Sequence, residues 1–138
     1  MFTVLDTNHL RELVHETPLG LRLQDRLATA EVFTTVVTAH EVLQGWAARI
    51  NQQAAGPAQV EPYLHFQTAL LALRNFDLLP FDDDAAQIFL GLRRAFRRVG
   101  TMDLKIAAIC LAHDATLLTR NVADFIGLPG LRVENWLD

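Results

Sequence analysis

Phe2-Thr3-Val4-Leu5-Asp6-Thr7-Asn8 opens the chain with four β-favouring residues that run straight into three turn- and cap-forming ones. An apolar and β-branched run without polar alternation reads as a strand buried on both faces. Asp, Thr and Asn stop such a strand, because their side chains bond nearby backbone N–H groups and favour the start of a helix. A strand that hands over at once to a helix is the first half of a strand–helix–strand unit. The acid at the join marks where chemistry is expected, since parallel sheets bind ligands beyond the carboxyl ends of their strands.

Working outward, the handover repeats. Leu10 to Val14 and Leu19 to Leu27 have helical periodicity, broken by Pro18-Leu19-Gly20. Val32 to Val37 is a second β-branched run, and Thr38 opens a helix to about Ile50. Asn51 to Pro57 is a loop, followed by a helix from about Ala58 to Asn75. Leu78 to Phe81 is a third strand. Asp82-Asp83-Asp84 opens a helix ending near Gly100, and Thr101 starts another to about His113. Thr116 to Thr119 is a fourth strand and Leu131 to Val133 a weak fifth. Strands separated by helices predict an α/β fold with a central parallel sheet of four to five strands, covered on both faces.

The 138 residues, 51% of them apolar, suffice for one core and one domain spanning 1–138. This is not the composition of a disordered chain. No apolar run reaches the length of a membrane span, and the first residues lack a secretory leader's pattern. Cys110, the single cysteine, lies in an apolar helical stretch and reads as a reduced core residue. A cytoplasmic protein without a membrane partner is therefore expected. The net charge of −4 is not that of a protein that coats nucleic acid. It does not exclude such a substrate, because the local field matters more than the sum.

Four acids fall at or near one rim of the expected sheet: Asp6 after strand one, Glu41 a turn past strand two, Asp103 in the first turn of the helix feeding strand four, and Asp124 beyond strand four. Each has a local explanation. Asp6 can cap the first helix. Thr38-Ala39-His40-Glu41 fits a capping box. Asp103 follows a Thr101 cap at the positive end of a helix, and Asp124 can be a plain loop acid. Together they repel one another and raise one another's pKa, an arrangement that a divalent cation would neutralise. All-oxygen donors select Mg²⁺ or Mn²⁺ over zinc. His9, His15, His40, His65 and His113 have no zinc spacing and read as surface or packing residues. Arg93, Arg94, Arg97 and Arg98 form two i, i+4 pairs on one side of a helix, either a solvated face near the helix C-terminus or a grip on phosphates. Trp46 and Phe66 read as packing residues flanking the Asn51 to Pro57 loop.

These residues also carry a family resemblance. Val4-Leu5-Asp6-Thr7-Asn8-His9-Leu10 resembles the opening of PIN domains, in particular of the VapC toxins of bacterial toxin–antitoxin pairs. Thr38-Ala39-His40-Glu41-Val42-Leu43-Gln44-Gly45, Gly100-Thr101-Met102-Asp103-Leu104-Lys105-Ile106-Ala107-Ala108 and Leu117-Leu118-Thr119-Arg120-Asn121-Val122-Ala123-Asp124-Phe125 resemble the second, third and fourth motifs. Pro129 to Trp136 resembles the closing segment. The matches are in family order and span essentially the whole chain, with all four acids present.

The resemblance implies a three-layer α/β/α sandwich and Mg²⁺- or Mn²⁺-dependent cleavage of RNA. In-line attack of water would leave 3′-hydroxyl and 5′-phosphate ends. It makes Asp6, Glu41, Asp103 and Asp124 the catalytic, metal-holding cluster. Thr7, Asn8 and Thr119 then position those acids or a water, unless they serve only turns and caps. Arg120, between two motif positions, would meet a scissile phosphate or an antitoxin carboxylate, with Arg93, Arg94, Arg97 and Arg98 as further RNA contacts. A VapB-like antitoxin and a homodimer are the implied partners, with the antitoxin docking near Trp46 and Phe66. A phosphatase of the haloacid dehalogenase type is disfavoured, because its second Asp would fall at Asn8. That class and receiver domains both want a late Lys, and no Lys follows Lys105. A non-catalytic PIN-fold module that binds RNA or protein is the remaining alternative.

Overall fold

The computed structural model describes residues 2–138. Five strands, β1 (Phe2–Leu5), β2 (Glu31–Thr35), β3 (Asp77–Leu79), β4 (Thr116–Leu118) and β5 (Arg132–Glu134), form one sheet in the order β3-β2-β1-β4-β5. Every neighbouring pair is parallel, with Val4 opposite Phe33 on one side and Leu117 on the other. The helices between them are α1 (Thr7–Val14), α2 (Pro18–Leu27), α3 (Val36–Asn51), α4 (Val60–Leu73), α5 (Asp83–Ala95), α6 (Thr101–Ala112) and the short α7 (Val122–Phe125).

Adjacent strand residues serve opposite cores, as the pleat dictates. Val4 and Leu117 pack with Leu92 of α5 and Leu104 and Ile109 of α6. Leu5 and Leu118 pack with Leu10, Leu23, Ala39 and Leu73 of the first four helices. Both central strands are therefore buried on two sides, and the layers are helix, sheet, helix. Buried hydroxyls within the sheet are satisfied by backbone: Thr3 Oγ1 donates to Glu31 O at 2.8 Å and Thr34 Oγ1 to Leu5 O at 2.8 Å. Gly20 lets α2 lie against the end of α1, because a Cβ there would overlap the Glu12 carbonyl.

Several boundaries differ from the sequence reading. Val36 and Val37 belong to α3 and not to β2, because the Thr35 side chain accepts from Thr38 N and starts the helix there. β3 begins at Asp77 and ends before Pro80, which has no N–H to donate to a ladder. α5 stops at Ala95, well short of Gly100, with Phe96 out of helical conformation. Among the described residues no helix is long and apolar enough to cross a membrane.

Candidate active site

Strand order reverses between β1 and β4, so the chain leaves the carboxyl ends of these neighbours in opposite directions and opens a crevice there. Asp6 sits at that crevice. Its backbone N donates to Leu118 O at 3.0 Å, continuing the β1–β4 ladder for one more residue. Its side chain is nearly closed off, with 7% of the residue exposed. Oδ1 accepts from Thr7 N at 2.8 Å and Oδ2 from Thr119 Oγ1 at 2.9 Å. Thr119 Oγ1 in turn accepts from Asn121 N at 3.1 Å, which fixes its proton toward Asp6. The cap role read for Asp6 is real. It uses one lone pair of one oxygen and leaves acceptor capacity on both.

Glu41 is not a capping residue. α3 begins before the position expected, with Thr38 N donating to Thr35 Oγ1 at 2.9 Å, so Glu41 lies beyond the first turn. It is half-buried. Its pKa is raised by burial first, then by the charges of Asp6 and Asp103. Asp103 is also half-buried, in the first turn of α6, where Gly100 and not Thr101 is the cap and supplies no side-chain bond. Burial raises the Asp103 pKa as well, followed by the charges of Asp6 and Asp124. Asp124 stands exposed on α7. Residues far apart in sequence thus lie in one another's field at a single sheet edge.

The donor set suits a hard divalent cation, being all carboxylate oxygen without thiolate or imidazole. Glu41 and Asp103 carry raised pKa values of the kind such a cation would lower. Among the described residues, however, no three His, Cys, Asp or Glu side chains already converge at ligand distance.

The remaining expected residues divide. Thr119 supports Asp6 directly. Thr7 does so through its backbone. The Asn8 amide oxygen accepts instead from Arg11 Nη2 at 3.1 Å. The expected helical pairing of Arg93 with Arg97 and Arg94 with Arg98 is absent, since Arg97 and Arg98 lie past the end of α5. All four are exposed, and Arg93 donates to Thr101 Oγ1 at the start of the Asp103 helix. Arg120 has an internal partner: its Nε lies 3.3 Å from Asp138 Oδ2, and Nη2 lies 3.4 Å from Oδ1.

His9 is fully buried and packs, as expected of it, but it also bonds: Nε2 accepts from Trp136 N at 3.1 Å. Burial, and then the charge of Arg120, pull its pKa down to about 4, so the ring is neutral. Trp46 stacks on His65 with ring centroids 4.6 Å apart. Both line a cleft of about 260 Å³ between α1, α3 and α4, whose lining also includes Thr7 and Glu41.

A parallel α/β domain with a held aspartate at its switch point, in the field of Glu41 and Asp103, is the class that fold and site define. The chain belongs to the PIN domain family, whose family model matches residues 3–126. It is 31% identical over 131 residues to ribonuclease VapC5 of Mycobacterium tuberculosis, covering 92% of this chain and 87% of that one. It is 26% identical over 137 residues to the tRNA(fMet)-specific endonuclease VapC of Salmonella typhimurium, covering 96% of each. Its fold matches a chain in the structure of VapBC2 from Rickettsia felis bound to a promoter DNA fragment, with a TM-score of 0.76, 20% identity and 99% of each chain covered.

Proposed function

We propose that this protein is a divalent-metal-dependent endoribonuclease and the toxin of a VapBC-type toxin–antitoxin pair. One observation carries the reading: a buried Asp6, held by Thr119 at the strand crossover, shares its field with Glu41 and Asp103, whose pKa values are raised by burial first and by the Asp6 charge second. The ribonuclease and endonuclease names of its relatives support it.

Asp6, Glu41, Asp103 and Asp124 would hold Mg²⁺ or Mn²⁺, which lowers the pKa of water and offsets charge gathering on a phosphodiester in the transition state. The chain's own part is positional. Thr119 and the Thr7 N–H keep Asp6 in one rotamer, so the most buried acid needs no reorganisation. Glu41 and Asp103, with their raised pKa values, can take a proton from the attacking water at a carboxylate oxygen. Exposed Arg93, bonded to Thr101 at the start of the Asp103 helix, and the exposed Arg94, Arg97 and Arg98 would meet RNA phosphates. No side-chain nucleophile is required: water attacks phosphorus in line with the P–O3′ bond, that bond breaks, and the departing 3′-oxygen takes up a proton from solvent, leaving 3′-hydroxyl and 5′-phosphate ends.

A VapB-like antitoxin and a second copy of the chain are the proposed partners, and the cytoplasm the proposed location. Exposed Val60, Leu64 and Leu71 on α4 offer apolar surface for such contacts. The test is cleavage of total RNA by purified wild type and Asp6→Asn, with and without EDTA, followed by end mapping. Wild type is expected to cut, with 5′-phosphate products, and EDTA or Asp6→Asn to abolish cutting. Equal cleavage by Asp6→Asn would refute the reading.

A further inference from the structure

We propose that the cleft between α1, α3 and α4 receives an unpaired base of the RNA strand that is cut. This rests on the nuclease reading above and adds to it a place for the nucleotide beside the scissile phosphate. Continuity comes first. Glu41 lines the cleft and is also one of the acids, so a strand whose phosphate reaches Glu41 lies beside the cleft. Its walls come next. Leu10 and Val42 supply apolar surface, and Trp46 and His65 form a layered aromatic wall, their planes 14° apart. Bases splayed from a single strand are held by apolar and aromatic side chains, and the stacked Trp46–His65 pair with Arg49 over the Trp46 ring brings both to this wall.

Charge selects a nucleotide over a purely apolar occupant. Arg11 and Arg49 are exposed on the cleft lining, and Arg49 lies 4.7 Å from the centre of the Trp46 ring. Glu41 is the only carboxylate lining the cleft. On a chain of net charge −4 this basic rim is not background. An apolar pocket beneath a cationic rim complements a base beneath its phosphates.

Gly45 completes the case. It lies inside α3, where glycine weakens a helix relative to alanine. A Cβ there would meet nothing within 4 Å, so neither packing nor backbone angle calls for glycine. What its missing side chain does is leave the cleft wall open.

The experiment uses Trp46 fluorescence. The chain has two tryptophans, so Trp136→Phe leaves Trp46 as the only one. In an Asp6→Asn, Trp136→Phe background, a mixed-sequence ten-nucleotide single-stranded RNA and its duplex are titrated. The single strand is expected to change Trp46 emission saturably, and the duplex much less. Gly45→Leu should remove that change and weaken single-strand binding by about tenfold, the scale of one lost stacking contact, with an unaltered far-ultraviolet spectrum. Should Gly45→Leu not fold, Thr68→Leu on the facing wall carries the same outcomes.

Unchanged single-strand affinity in the plugged variant overturns the proposal. So does a plugged variant that loses only a co-purified protein while binding RNA normally, which would make the cleft a protein groove. Binding is read without cleavage, so the two readings can fail separately. Gly45-dependent binding with no cleavage by wild type sinks the nuclease, whereas cleavage with Gly45-independent binding sinks the base pocket.

Discussion

The Thr119 hydroxyl donates to Asp6 Oδ2 at 2.9 Å, joining residues 113 positions apart across the point where strand order reverses. Thr119 is buried, so this bond is not traded for one to water. Thr119→Val keeps the shape and removes the donor. RNA cleavage should fall roughly tenfold in kcat, equivalent to about 1.4 kcal/mol, and Thr119→Ser should recover most of it. A valine variant as active as wild type would mean that Asp6 is positioned by other means.

Glu41 and Asp103 both have pKa values raised above the ordinary carboxylate range, so their charged forms are disfavoured in the folded state. Above those folded pKa values the fold carries a cost that is relieved as pH falls through them. Glu41→Gln and Asp103→Asn should therefore raise the thermal midpoint at pH 7 while abolishing cleavage. Calorimetry and an RNA assay on the same preparations check both, and a lowered midpoint would show that the acids are not strained by one another.

His9 works in the opposite sense. Its pKa falls from 6.5 to about 4 on folding, so the unfolded chain binds the extra proton between those values. Stability is retained above pH 6.5 and lost as pH falls toward 4. Between pH 7 and pH 5 the loss should be about 2 kcal/mol. The charges facing the ring are Arg120, Asp138 and Arg26. Urea midpoints of wild type and His9→Asn at the two pH values measure the effect, and the variant should lack most of the dependence.

Thr35 sets where α3 begins, and with it where Glu41 points. Thr35→Ala should cost about 1–2 kcal/mol in denaturant unfolding, as for other lost caps. It should also lower cleavage, because the first turn of α3 then frays beside the acids. Full activity at reduced stability would separate Glu41 from its cap.

The strand–helix alternation and the parallel sheet were legible in the sequence, because two-sided burial is a local pattern. Errors clustered where two local signals competed. Thr35 and Thr38 are both good caps, and β-branched Val36 and Val37 favour strand, so α3 starts earlier than the local pattern suggests and the capping-box alternative for Glu41 falls away. The arginine pairing failed because nothing between Arg94 and Gly100 announces the end of α5 at Ala95. The Arg120–Asp138 pair, the bond from Trp136 N to His9 and the cleft beside Gly45 depend on tertiary contacts that no local pattern encodes. The family resemblance, with its docking region near Trp46 and Phe66, was the hint of the cleft that Trp46 lines.

Calorimetric titration of the purified chain with Mn²⁺ bears most directly on whether Asp6, Glu41, Asp103 and Asp124 act as one cation site. Saturable binding by wild type is expected, weakened at least tenfold by each of Asp6→Asn, Glu41→Gln and Asp103→Asn, and accompanied by a rise in thermal midpoint. Wild type and all three variants binding Mn²⁺ alike, or none binding it, would contradict the account.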